Sequence, residues 1–305
     1  MKVSYIITAV AVAAVVLAVI LTRRPSVDKG TELTKPAMLK VHTLAHLPKL
    51  ISPGGGDATS AFETLYSFFT EHADKLRECS NTNADPSAEL GEACVSHIQR
   101  LYELGSISSS YLNKSTPVEI NAKPNFEDAA VVVGHVAILR CAGDKPRLEK
   151  TCLAVMSLGL NFFEKCRRLN VRAQGMTLME MALKDLGLRV ASEGSELAKQ
   201  VKTWQDGLDE YDAKYWTPKY SICRSVRPEN FADVVALAQK DQDICWRVEA
   251  TLALGRVKFA FKRGAGNDTL IRNAIEKLTT DPEGDVATAA KLAQAFTTED
   301  VRKVK

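Results

Sequence analysis

Leu197-Ala-Lys-Gln-Val-Lys-Thr-Trp-Gln-Asp-Gly-Leu-Asp-Glu-Tyr211 is the stretch on which the fold turns. Its apolar residues Leu197, Val201, Trp204, Leu208 and Tyr211 are spaced 4, 3, 4, 3. That interval keeps one face of a helix against another helix. The same period runs outward in both directions. Upstream, Phe62, Leu65, Phe69 and Leu76 form one stripe, and Leu90, Cys94, Ile98, Leu101 and Leu104 form the next. Phe126–Cys141, Arg147–Leu169 and the stripe Met179, Ala182, Leu183, Leu186, Val190 follow. Downstream, helices fit 229–239, 244–262, 269–279 and 285–296. Ala129–Val136 is rich in valine, but a lone strand has nothing to pair with. The 17 glycines and 11 prolines in 305 residues are too few for a turn-rich barrel or sandwich. The expected class is all-α: an antiparallel helical-hairpin array, α-solenoid-like, behind an N-terminal transmembrane helix.

That first helix rests on Val3–Leu21, an uncharged run of 19 residues. As a helix it spans about 28 Å, close to the hydrocarbon thickness of a bilayer. A cleaved signal peptide has a shorter apolar core and small residues at its end. Here the alanines lie mid-run and Arg23-Arg24 follows. The reading is an uncleaved signal anchor over residues 1–22, with a cleaved peptide and a buried soluble helix as the alternatives. Residues 23–57, broken by Pro25, Gly30, Pro36, Pro48, Pro53 and Gly54-Gly55-Gly56, read as a flexible tether with a short amphipathic piece near Ala37–Leu47. Asp57 and Thr59 offer a cap for the next helix. A hairpin domain over 58–215 and further hairpins over 216–305 complete the division.

The C-terminal third repeats itself. In Lys240-Asp-Gln-Asp-Ile-Cys-Trp-Arg-Val-Glu-Ala-Thr-Leu-Ala-Leu-Gly255 and Thr280-Asp-Pro-Glu-Gly-Asp-Val-Ala-Thr-Ala-Ala-Lys-Leu-Ala293, Asp241 aligns with Asp281, Asp243 with Glu283, Trp246 with Val286 and Ala250 with Ala290. The step is 40 residues. Alanines on one side of each helix permit close neighbours, and a single hairpin cannot bury its apolar face alone, so the units must stack. Residues 228–296 resemble a HEAT or HEAT-like repeat, in which an acidic turn precedes the second helix and a valine–arginine pair opens it. Arg247 falls on that arginine, whereas the second copy has Ala287; Leu254-Gly255 matches the family's ending, and Leu158-Gly159 closes a fainter copy that begins at Asp144. The resemblance implies a surface that binds another protein, and no reaction.

Seven cysteines show no C-x-x-C spacing. Cys79 and Cys94 flank one expected turn, Cys141 and Cys152 the next, and Cys223 and Cys245 form a looser pair. Three disulfides are expected, with Cys166 left over; the alternative is that all behave as small core residues. Paired cysteines place the body outside the cytoplasm, and this outweighs the weak lean of Arg23 and Arg24 toward a cytoplasmic body; the expected location is a single-pass membrane protein with an extracytoplasmic, periplasmic or lumenal, body.

Charge narrows the function. The net charge is +3, but four of the 40 basic and one of the 37 acidic residues lie in the first thirty positions, so the rest is neutral. A neutral body lacks the basic face a nucleic-acid binder needs. His42 and His46 have i, i+4 spacing without the glutamate of a metalloprotease, and Cys94 and His97 have no third group to orient them. His72, His97 and His135 sit singly on helices and read as packing or surface residues, not catalysts. The acidic residues Asp206, Asp209, Glu210 and Asp212 read as a solvated helix face; Arg167, Arg168 and Arg172 read as a small basic patch. Asn113-Lys-Ser115 and Asn267-Asp-Thr269 are glycosylation-type triplets that chance alone would supply. Tyr211, Tyr215, Trp216 and Tyr220 are either a core plug or an aromatic patch for a partner. No cofactor, metal or small-molecule substrate is implied. The expected role is a membrane-anchored scaffold that binds a protein; a cytoplasm-facing adaptor, or an enzyme or carrier whose site assembles from distant residues, are the alternatives.

Overall fold

The computed structural model describes residues 54–113, 126–257 and 267–296. Across them the chain is helical. Helices α1 (Thr59–Thr82) and α2 (Ala88–Leu104) form the first pair, and a short turn of helix α3 (Ser109–Leu112) follows. Next come α4 (Phe126–Cys141), α5 (Lys145–Lys165) and α6 (Leu169–Asp185), which runs into a π-helical turn at Leu186–Val190. Helix α7 (Glu196–Tyr211) passes through a second π-helical turn (Asp212–Trp216) into α8 (Thr217–Arg224), so backbone is helical on both sides of position 215. The last described helices are α9 (Phe231–Lys240), α10 (Ile244–Val257), α11 (Asn267–Leu278) and α12 (Gly284–Ala295). No helix among the described residues is long and apolar enough to cross a membrane. The run Val3–Leu21, the piece near Ala37–Leu47, His42 and His46 all lie outside the described residues.

Local chemistry sets the helix ends. Ser87 Oγ accepts from Leu90 N, Asp144 Oδ1 from Arg147 N at 3.2 Å, and Ser195 Oγ from Ala198 N at 3.1 Å; each side chain satisfies an amide that has no partner within its own helix. Asp57 does the same for Thr59, at 2.9 Å, and the two Thr59 hydrogen bonds hold its carboxyl below its usual range.

Helix α5 is the core. Every residue from Ala154 to Phe163 is buried, because α2, α4 and α6 cover it. Each fully buried leucine or phenylalanine contributes about 1.5–3 kcal/mol. Helix α4 packs on α1, α2, α5 and α6, which explains why Ala129, Ala130, Val133, Val136, Ala137 and Ile138 are all buried; the valine-rich segment is a helix surrounded on several sides. Helices α5 and α6 cross at a pair of glycines. A Cβ on Gly159 would fall 2.6 Å from the Gly175 carbonyl oxygen, and one on Gly175 would fall 2.6 Å from that of Gly159.

Two sequence expectations are corrected. Gly54-Gly55-Gly56 and Asp57 are not loose tether. Gly54 N donates to Tyr102 O at 3.0 Å, and the strand β1 (Gly56–Asp57) pairs in parallel with β2 (Gly105–Ser106). Gly105 has φ 121°, in the region that favours glycine, and side chains at Gly54 or Gly105 would meet the facing backbone. Glycine therefore serves close approach here, not flexibility. The expected single helix over Arg147–Leu169 is two helices. Between them Cys166 and Arg168 are extended, and the Asn113 side chain fills the break. Asn113 Oδ1 accepts from Arg167 N at 2.8 Å, and its Nδ2 donates to Lys165 O at 3.1 Å.

Candidate functional site: charged turns and an aromatic core

The acidic turn before α10 is built from carboxylates that each do two jobs. Asp241 Oδ1 accepts from Asp243 N at 2.8 Å, while its Oδ2 takes Lys219 Nζ at 2.7 Å. Asp243 Oδ1 accepts from Cys245 N at 3.0 Å, while its Oδ2 takes Arg172 Nη1 at 2.6 Å. One oxygen caps the turn and the other ties it to α8 or α6. The Lys219 and Asp241 side chains are 2% and 0% exposed. Burial pushes the Asp241 carboxyl up to about 6, against the pull of Lys219.

The aligned turn before α12 repeats the arrangement. Asp281 Oδ1 accepts from Glu283 N at 3.0 Å, and its Oδ2 takes Arg247 Nη2. Arg247 also donates to Ala238 O at 3.2 Å, so it spans from the end of α9 to the next turn. Arg167 reaches Asp285 at 2.8 Å. The cations expected as a basic patch each have a partner on the chain itself: Arg172, largely buried, on Asp243 and the Cys166 carbonyl, Arg168 over the Phe126 ring, and Arg167 on Asp285 in an exposed pair.

The aromatic residues resolve into a plug and a rim. Tyr211 and Trp216 are 5% and 7% exposed. Tyr211 packs edge-on to Phe163 at 5.2 Å, and Trp216 meets Trp246 at 5.1 Å. Neither can meet a partner without leaving the core, which corrects that half of the partner-patch expectation. Tyr215 stacks against Tyr211 and is partly buried. Tyr220 is 37% exposed, with Arg224 over its ring. Lys219 lies 5.8 Å from the Trp246 ring, so the charged turn and the plug share one junction of α6, α8 and α10.

All seven cysteines are free thiols, and the expected pairings are not formed. Cys94, Cys141, Cys152, Cys166, Cys223 and Cys245 are buried, and Cys79 partly so. Cys94 lies within electrostatic reach of Cys79, Cys152 of Cys141 and Cys223 of Cys245. Burial pushes the Cys94 thiol up to about 12 and raises the other five buried thiols as well. Such thiols are poor nucleophiles. The physical reason is packing: they act as small apolar groups facing neighbouring helices.

Histidines and acids are similarly occupied. His135 Nδ1 shares a hydrogen bond with Ser80 Oγ at 2.9 Å, and burial lowers its pKa. The Phe68 ring lies between His72 and His97 at 4.9 and 4.7 Å. Glu210 pairs with Lys214, Asp209 accepts from Gln205, and Asp212 accepts from Thr217; Asp206 stays exposed. Among the described residues no three His, Cys, Asp or Glu side chains converge to hold a metal ion. Sequence reasoning missed the roles of Lys219 and Asn113, which partners distant in sequence hold, and the burial of Asn161 within α5.

Comparison with family models, curated proteins and solved structures gives no match for this chain.

Proposed function

We propose that this chain is a membrane-anchored helical scaffold, with HEAT-like hairpins at its C-terminal end, that holds a protein partner and carries out no reaction. The observation that carries the reading is the Arg247–Asp281 pair, which ties one hairpin to the turn of the next. Aligned positions share their burial: Trp246 with Val286, Ala250 with Ala290, and Ala253 with Ala293. Helix α10 packs on α12, and a Cβ on Gly255 would fall 2.6 Å from Ala293 Cβ. Turn-to-turn pairing with small residues at the crossing suits stacked repeats, which act through an extended outer surface. In the proposal, Val3–Leu21 anchors this body to a bilayer.

On which side the body lies, the thiols favour one reading. Seven unpaired cysteines suit a reducing compartment, and Arg23-Arg24 lean the same way. A cytoplasm-facing adaptor is therefore favoured over the extracytoplasmic body that paired cysteines would have implied.

The test uses the full chain in its native membrane. After alkaline extraction the chain stays with the bilayer, and a variant lacking residues 2–22 does not. A photoreactive residue at Glu276 or Lys291, both exposed, gives one discrete protein adduct, whereas one at the buried Leu254 gives none. Release of the full chain by alkali, or adducts equal at exposed and buried positions, refutes the proposal.

A further inference from the structure

We propose that a single ordered water molecule is bound between α2 and α5, held by the side chain of Asn161. A small cavity lies there, with Leu101, Ile107, Ala154 and Leu158 as its apolar walls and Ser157 and Asn161 as its polar ones. Its free core has room for about one water molecule. Asn161 is 8% exposed. Its Nδ2 donates to Ser157 O, one turn back, at 3.0 Å. That bond fixes which way the amide faces, because the flipped amide would set its oxygen against the Ser157 carbonyl. Oδ1 is buried and has no hydrogen-bond partner among the described residues. A buried carbonyl acceptor left without a donor is costly, and a native fold supplies the donor from protein or from water.

The chemistry of the cavity selects the occupant. It must donate a hydrogen bond, so an anion is excluded. No carboxylate lines the cavity, so a desolvated ammonium ion has no counter-charge. The space is too small for an organic ligand. Water meets each condition, and the backbone at Gly105, which also lines the cavity, is within its neighbourhood. The position is telling: the cavity lies beside the place where β1 docks on β2 and where Gly54 donates to Tyr102. The bound water bridges the end of α2 to the central helix beside the point where β1 pairs with β2.

The experiment is water–methyl cross-relaxation on the full chain in detergent, with isoleucine methyl groups labelled and Ile107 assigned by its loss in Ile107→Val. The wild-type protein gives a cross-peak between water and the Ile107 methyl, with the sign of a water resident for longer than about a nanosecond. Ile138, buried and not among the walls of this cavity, gives none. Asn161→Leu removes the Ile107 cross-peak. A folded wild-type protein without that cross-peak overturns the proposal, as does a cross-peak that survives Asn161→Leu. The wild-type measurement decides the matter even if the variant does not fold.

Discussion

Gly159→Ala tests the packing argument because two effects of opposite sign compete. In an exposed helix interior the change from glycine to alanine is favourable by about 1 kcal/mol. At Gly159 the new Cβ would lie 2.6 Å from the Gly175 carbonyl oxygen, 2.9 Å from Met179 Cγ and 3.1 Å from Leu178 Cβ. The methionine can move, but the carbonyl belongs to the α6 backbone and cannot. Reaching ordinary contact requires the helices to part by about 0.5–1 Å. Separation there loosens the side chains of Phe162 and Phe163 on either side of the crossing. Overpacking of this kind costs about 1–3 kcal/mol, and a rigid backbone clash lies at the upper end. The net expectation is a loss of about 1–2 kcal/mol, which lowers the melting temperature by about 2–8 °C for a body of this size. Gly284→Ala is the control: nothing lies within 4 Å of its Cβ, and it opens α12, so its stability is unchanged or slightly raised. Thermal and urea unfolding followed by far-ultraviolet circular dichroism read both. A Gly159→Ala protein as stable as Gly284→Ala, or more so, would show that α5 and α6 do not cross backbone to backbone and would refute the reasoning.

Three further outcomes follow from named contacts. Lys219→Met leaves the Asp241 carboxylate buried without its cation and costs about 3–5 kcal/mol, whereas adding Asp241→Asn recovers a substantial part of the loss, because the pair and not the charge alone is what the site tolerates; denaturant unfolding checks both. Asn113→Ala uncovers the break between α5 and α6 and costs about 1–3 kcal/mol, with faster hydrogen exchange confined to residues 165–168. Arg147 first, then Arg140, hold the Glu92 carboxyl down at about 2 from its ordinary 4.5. A depressed carboxylate contributes stability above its unfolded pKa and loses it as the proton binds, so that contribution is present above about pH 4.5 and disappears between there and pH 2. Glu92→Gln flattens this part of the pH–stability curve, and a wild-type curve already flat across that window would contradict the assignment.

What could be read from the chain depended on whether the cause was local. The stripe at Leu197, Val201, Trp204, Leu208 and Tyr211 is a property of one helix, and four of its five residues, all but Leu197, are buried as expected. The aligned turns at Asp241 and Asp281 were legible because capping acts over two residues; that each carboxylate would hold a cation from another helix was not. Lys219 reads as surface from its charge, and only the carboxylate 22 positions away makes its burial tolerable. The end of α5 could not be found because its capping group, Asn113, lies more than 50 residues upstream. Gly54-Gly55-Gly56 carries the same letters whether it swings freely or docks against Gly105. The aromatic residues divide for a similar reason: Tyr211 and Trp216 lie on faces met by Phe163 and Trp246, while Tyr220 projects away. Periodicity places a residue on a face, but only the partner decides whether that face is covered.

The pair that joins successive turns is most directly tested by a double-mutant cycle at Arg247→Ala and Asp281→Ala, with unfolding free energies measured in denaturant. Both side chains are largely buried, at 13% and 9% exposed. Each single change is expected to cost about 2–4 kcal/mol, and the double change markedly less than their sum, leaving a coupling of about 1.5–3 kcal/mol. Costs that simply add would mean that the two turns do not hold each other, and the stacked-hairpin account would be wrong.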